Sequence, residues 1–346
     1  MADSNDPGVV YLTTNAAAGN AVDVFARAAD GSLTLRGAVS TGGLGTDSGL
    51  GSQGSLILTR NRLFAVNAGS NDISVFAVQP NGGLALRAKT PAGGSTPISL
   101  TVRGDLLYVL DAGSPANIFG FTIAGNGRLT PIAGSKQPLS SSAPGPAQVS
   151  FNNNGRFLVV TEKGTSLIDT YAVDNKGVAH APLITPSNGK TPFGFAFDSR
   201  DHMLVSEAFG GPGNTSSALS SYGLNADGSL QVISGSVPNL EMAACWVVIT
   251  NNEKFAYTSD TGNGFISSYR LSRDGALSLI NGAAADTGGT TSAPIDMSLS
   301  EGSRFLYVLT AGTGEVDIFA VQRDGSLSPI TGPTGIVASA AGIQAR

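Results

Sequence analysis

A chain of 346 residues with 46 glycines and only 13% charged side chains suits many short strands joined by tight turns, and leaves little room for long helices. Its net charge of −5, with 20 basic residues scattered singly, gives no electrostatic footprint for nucleic acid or an anionic membrane, and no apolar run of about 18 residues is present to span a bilayer. The single cysteine, Cys245, excludes an internal disulfide framework and a thiolate metal cluster.

The opening residues, MADSNDPG, lack the basic and apolar regions of a secretory signal. The abrupt entry into VVYLTTN would equally suit a mature segment, so the compartment stays open between cytoplasm, periplasm and export. From there one phrase recurs along the chain: AVDVFARAADGSL, ISVFAVQPNGGL, NIFGFTIAGNGRL, LIDTYAVDNKGV, ALSSYGLNADGSL, FISSYRLSRDGAL and VDIFAVQRDGSL. Its last residue falls at Leu33, Leu84, Leu129, Val178, Leu230, Leu277 and Leu327, a period of about 49 residues. Asp-Gly or Asn-Gly between two alternating runs signals a hairpin, because both residues tolerate positive φ. Upstream of each phrase lies a strand, a polar turn and a second strand, as in ISLTVRGDLLYVLDAG, AQVSFNNNGRFLVVTEKG and IDMSLSEGSRFLYVLTAG. Four short strands per repeat predict an all-β fold: a single seven-bladed β-propeller over residues 1–346, antiparallel within each blade.

The first repeat lacks an innermost strand, since only eight residues precede Val9. The unused tail GIVASAAGIQAR is apolar enough to supply it and close the ring. A closed ring satisfies its own edges, so a monomer is expected.

Most of the apolar residues at alternate positions pack blade on blade, so function belongs at the channel mouth, where inner strands start and second strands end. The second strands end in Asn15, Asn67, Asp111, Glu162, Glu207, Asp260 and Thr310, which brings four adjacent carboxylates to that face. Short side chains followed by glycine suit Asx turns, which is the reading favoured for Asn67, Asp111 and Asp260. Glu162 and Glu207 are too long for that role and become the catalytic candidates. Crowded carboxylates either work as acid and base or hold a hard cation, Ca2+ or Mg2+, with Asp111 and Asp260 as ligands; no cofactor is required by the first alternative. Lys163 and Lys190 lie in loops on the same face, placed either to meet an anionic substrate group or to offset the acidic ring. His180 falls in an outer strand and His202 in a turn on the opposite face, so neither a Ser-His-Asp triad nor a zinc cluster is expected. Two glycine-rich insertions, TGGLGTDSGLGSQGS at 41–55 and AFGGPGNTSSA at 208–218, read as mobile rims or a partial lid over the mouth, or as plain linkers.

The stretches GPAQVSFNNNGRFLVVTEKGTSLIDTYAV (145–173) and TPFGFAFDSRDHMLVSEA (191–208), with the recurring FAVQxDGSL phrase, resemble the seven-bladed propeller lactonases, which include 6-phosphogluconolactonase-like proteins and carboxymuconate lactonizing enzymes. The resemblance implies hydrolysis or formation of a small lactone in the channel mouth. In those enzymes the inner strand entering the fifth blade begins Gly-Pro-Arg-His and the next ends in Glu; here the positions read Thr191, Pro192, Phe193, Gly194, with Glu207 retained. The preceding blade carries Gln148 and Glu162-Lys163-Gly164 in place of a His and an Asp-Leu-Gly loop. Loss of the Arg and both His argues against a phosphorylated lactone. Two functions fit these residues. One is a lactonase-like hydrolase with Glu207 as general base, Glu162 nearby, and Lys163, Lys190, Gln148 and Phe193 around the substrate. The other is a non-catalytic propeller that binds a small molecule or a protein at the same face.

Overall fold

The computed structural model describes residues 6–346; residues 1–5, and with them most of the MADSNDPG opening, lie outside the described residues. Seven antiparallel sheets follow the seven repeats in order. Blade 2 runs Leu56–Leu58, Arg62–Asn67, Asp72–Val78, Leu84–Pro91, and blades 4 to 7 repeat this plan, beginning at Pro146, Pro192, Ala244 and Pro294. Blade 3 (Pro97–Arg103, Leu106–Asp111, Asn117–Ile123) differs: its outer strand is split into Leu129–Pro131 and Gln137–Pro138. Ser135 holds the break together, its hydroxyl donating to the Ile132 carbonyl at 2.7 Å and accepting from Gly120 N at 3.0 Å. No helix among the described residues is long and apolar enough to cross a membrane.

The ring closes as the tail composition predicts. Ile343–Ala345 pairs with Gly8–Thr13 as the innermost strand of blade 1, in the register Val10↔Ala345, Tyr11↔Gln344, Leu12↔Ile343. The tail also reaches both neighbours. Ile343 N donates to Asp296 Oδ2 (3.1 Å) and Ala345 N to Ser298 Oγ (2.9 Å) in blade 7, while Ser55 Oγ, just before blade 2, donates to the Ala341 carbonyl (3.2 Å). Ala340 and Ile343 are fully buried in the core shared by blades 7 and 1.

The hairpins form where the repeat places them, but with different turn chemistry. Only the glycine of each pair has positive φ, for example 92° at Gly31 and 90° at Gly325. Gly31 N donates to Ala28 O at 3.0 Å and Ala28 N to Ser32 O at 2.9 Å, the bonding of a type I turn closed by a glycine bulge. Asp30 stays right-handed and instead uses its carboxylate to accept from Ser32 N at 2.9 Å.

These turns also join the blades. The bulge glycine of one blade lies on the residue that opens the second strand of the blade before it: Gly31 on Phe305, Gly82 on Val9, Gly228 on Phe157, Gly325 on Phe255. A Cβ at Gly31 would come within 2.4 Å of the Phe305 ring. A buried tyrosine completes several of these contacts by donating to the turn carbonyl: Tyr11 to Gly82 (2.7 Å), Tyr108 to Gly177 (2.6 Å), Tyr257 to Gly325 (3.0 Å) and Tyr307 to Gly31 (3.0 Å). Alternation along a strand predicts only packing for these tyrosines. Their hydroxyls are inter-blade pins.

Deleting residues 336–346 is expected to lower unfolding free energy by more than ~3 kcal/mol in urea denaturation, through lost burial of Ile343 and an unpaired strand edge; an unchanged midpoint would show that the tail does not close the ring. In the same assay Tyr307→Phe should cost about 1 kcal/mol for one lost hydrogen bond. Gly31→Ala should cost at least ~2 kcal/mol, since it adds both φ strain and a clash.

Candidate functional site

The ends of the second strands do reach the mouth face, but their side chains do not face the hub. Glu207 is fully buried and accepts from Gly189 N (2.8 Å), Ser220 Oγ (2.5 Å) and Ser236 Oγ (2.6 Å). Asp260, also fully buried, accepts from Asn239 Nδ2 (2.8 Å) and Ser267 Oγ (2.6 Å). Glu162 accepts from the backbone N–H (2.8 Å) and hydroxyl of Ser140 and from Thr165 Oγ1. Gly189, Asn239 and Ser140 belong to the loops that lead into blades 5, 6 and 4, so each carboxylate pins the loop entering its own blade. The partner on the third strand also recurs, two residues in: Ser74 for Asn67, Asp169 for Glu162, Ser220 for Glu207 and Ser267 for Asp260. A carboxylate taken out of water needs donors, which Ser220 and Ser267 supply to Glu207 and Asp260, while at Glu162 they come from Ser140 and Thr165. The acidic ring expected to line the channel is therefore a set of anchors inside separate blades, and Glu162 and Glu207 do not share a site.

Burial pushes Glu207 above the usual carboxylate range, opposed by its bonds to Ser220, Ser236 and Gly189. Burial likewise raises Asp260 strongly, while Ser267 and Asn239 oppose it. Asp169 is raised to about 7, mainly by burial and then by the adjacent Glu162 carboxylate. Asp111 breaks the pattern. Phe119 stands where the other blades offer a polar partner, and both carboxylate oxygens are buried without one. Burial pushes Asp111 up to about 7, with Lys136 acting in the opposite direction. Asp111 and Asp260 lie in blades 3 and 6 among different neighbours and do not converge on one cation. Among the described residues no three His, Cys, Asp or Glu side chains are grouped to hold a metal ion.

The 41–55 insertion is neither rim nor lid. Its last residues lie across the hub and bond to inner strands on several sides. Ser52 Oγ donates to Ile98 O (2.7 Å) in blade 3 and Gln53 N to Ala147 O (3.1 Å) in blade 4. In blade 6, Trp246 Nε1 donates to Ser52 O (3.0 Å), Gln53 Nε2 to Val247 O (2.9 Å) and Val247 N to Gln53 Oε1 (3.1 Å). Gln53 also fills the space beside Gly194 in blade 5, where a Cβ would stand 2.1 Å from its Oε1. Gly194 stands where the resemblance implies a histidine, and in this chain the plug takes the room an imidazole would need.

Beside the plug, between blades 4, 5 and 6, the mouth holds a cavity of about 520 Å³ lined by Lys163, Thr191, Phe193, Cys245, Thr261 and residues 210–212 of the second insertion. Lys163 and Phe193, both expected around a substrate, do meet here: Nζ sits 4.5 Å over the Phe193 ring and donates to the carbonyl of Gly51 in the plug. Phe193 in turn leans on Trp246, with ring centroids 4.9 Å apart. Burial holds the Lys163 amine below its ordinary value. Cys245 is pushed up to about 12 by burial, so its thiol keeps its proton. Gln148 does not reach the cavity, because its amide is held by Phe195 N (2.7 Å) and Phe195 O (3.0 Å). Lys190 is exposed and is not among the lining residues. His180 stands by Asp174 on an outer strand, and His202 Nδ1 lies 2.8 Å from Asp198 at the start of its strand. Cys245, Thr191 and Thr261 were missed in the sequence, where no local pattern distinguishes them from other strand-end residues.

The family described as "Lactonase, 7-bladed beta-propeller" matches residues 128–208 and 207–334, more than half of the chain. The chain belongs to the seven-bladed propeller lactonases. Solved structures of similar shape include the periplasmic gluconolactonase PpgL of Pseudomonas aeruginosa (16% identity, 98% of each chain covered, TM-score 0.76). A protein from Bacteroides fragilis provisionally named a 6-phosphogluconolactonase (18% identity, 98% of each chain, TM-score 0.75) is another. A protein from Lactobacillus plantarum (16% identity, 97% of this chain and 98% of that one, TM-score 0.76) is a third. At such identities the likeness carries the fold alone. No curated protein matches the chain in sequence.

Because the folded Asp111 carboxyl titrates near 7 and the unfolded one near 4, the folded state loses stability as pH rises from about 4 to about 7 and no more above that. Asp111→Asn should thus gain at least ~1 kcal/mol over the parent at pH 8 relative to pH 4 in urea denaturation. An equal difference at both pH values would mean that Asp111 is not held protonated.

Proposed function

We propose that the mouth cavity binds a small lactone, or the hydroxy acid into which it opens, and that Lys163 engages the oxygen of the reacting carbonyl. One observation carries this: Lys163 and Cys245 are the two ionisable side chains lining the cavity, and only Lys163 can carry charge there. Its ammonium spends one N–H on Gly51 and keeps two for a carbonyl or carboxylate oxygen. Resting over Phe193 and half-buried, it stabilises an oxyanion more strongly than an exposed lysine would. Thr191 Oγ1 accepts from Gly210 N at 2.9 Å, which leaves its own hydroxyl proton to donate into the cavity. A single cation suits a neutral or singly charged lactone and gives no second anchor for a phosphate group.

Glu207 as general base is the finer alternative, and it requires the carboxylate to give up Gly189, Ser220 and Ser236. A non-catalytic binding role is favoured by the lack of any carboxylate or imidazole in the cavity lining. Hydrolysis and binding of a panel of small lactones separates the three. Lys163→Met is expected to lower kcat/KM by ~10²-fold, with Glu207→Gln unchanged per folded molecule. Loss of turnover in Glu207→Gln at an unaltered melting temperature would return the proton-carrying role to Glu207. Binding without turnover would establish the non-catalytic role, and failure of every lactone to bind would overturn the proposal.

A further inference from the structure

The face opposite the mouth collects what the sequence scatters. A depression of about 1230 Å³ there is lined by Arg27, Arg36, Arg60, Arg304, Arg323 and Arg346, drawn from blades 1, 2 and 7 and the closing tail, against only Asp6 and Glu301 among acidic residues. The lining also includes the residues just past the inner strands of blades 6 and 7, Thr250 and Ser300, so the depression opens at the far end of the hub. In a chain of net charge −5 this gathers six of 20 basic side chains in one concavity.

Their charge is not spent on side-chain carboxylates. Among the described residues none of the six pairs with an Asp or Glu side chain, and the hydrogen bonds of Arg27, Arg36 and Arg346 go to main-chain oxygens. Arg27 donates to Arg346 O (3.2 Å) and Asp6 O (3.1 Å), Arg36 to Asn81 O (2.6 Å) and Arg346 to Arg60 O (2.9 Å). Arg27 and Arg304 both lie over the Phe305 ring, at 5.9 and 5.4 Å, which brings two cations to one aromatic side chain. A main-chain carbonyl orients the Arg36 and Arg346 guanidiniums without neutralising them, and the forks of Arg60, Arg304 and Arg323 make no hydrogen bond within the described residues, which leaves donors for planar or tetrahedral oxyanions.

We infer that this depression is a binding site for a small polyvalent anion, one bearing two or more phosphate or carboxylate groups. Several guanidiniums around one concavity reward an ion with several separated charges over a single phosphate. The concave shape suits a discrete molecule rather than a polymer lying along a flat face. The site is independent of the mouth cavity, which lies on the other side of the disc and of the Gly51–Gly54 plug.

Isothermal titration of the full chain at low salt with inorganic pyrophosphate, and separately with citrate, tests this and distinguishes phosphate from carboxylate recognition. Arg60→Gln with Arg323→Gln removes two exposed side chains that support no packing, and Arg128→Gln is an exposed control in blade 3. Saturable binding of at least one anion, weakened ~10-fold or more in the double variant and unchanged in the control, is the expected result. Absence of binding by both anions, equal weakening in the control, or binding of a single-stranded oligonucleotide alone would overturn it.

Discussion

The ring depends on one contact that recurs at six of its seven joints, the seating of a hairpin's bulge glycine at the start of the second strand of the preceding blade. It is local in origin, because an Asp-Gly or Asn-Gly turn forms within its own hairpin, and global in effect, because the glycine's missing Cβ lets the next blade approach. Where a tyrosine hydroxyl caps the turn carbonyl, the contact gains direction as well as area. The seven joints close only if the last blade meets the first. The C-terminal strand, bonded to both blade 7 and blade 1, makes that join without a covalent link.

The same need to satisfy buried groups governs the mouth. Carboxylates at the strand ends are close enough to solvent by sequence position to act on a ligand, yet Glu207 and Asp260 are drawn inward by a serine on the third strand and a loop N–H or amide, and Glu162 by Ser140 and Thr165. They hold the loops that shape the cavity. Blade 3 shows the cost of losing one partner: with Phe119 in the polar position, Asp111 is left dry and unpaired beside a split outer strand.

The plug stands where the resemblance to the lactonases implies a histidine. Gln53 is clasped by the Val247 backbone and pressed against Gly194, so the space and the bonding that an imidazole would use are already taken. The cavity lies to one side of the plug, where Lys163 spans from the Gly51 carbonyl to the Phe193 ring. Family membership settles the scaffold and leaves the reacting groups to be read from this chain's own side chains.

Blade number, strand order within a blade and closure by the tail were all legible in the amino-acid sequence, because each rests on local periodicity or on a simple deficit of strands. Lys163 was legible as a mouth residue for the same reason, since its position follows from counting along the repeat, whereas Phe193 entered only through the resemblance to the lactonases. Which way Glu162 and Glu207 point, where residues 50–55 lie, and the meeting of six arginines were decided only by the tertiary structure. Those outcomes depend on partners between 13 and about 320 positions away in the chain, such as Ser220 for Glu207, Val247 for Gln53 and Arg346 for Arg27. A period in sequence specifies a unit that repeats, whereas the orientation of a polar side chain is set by whichever donor the closed ring brings to it.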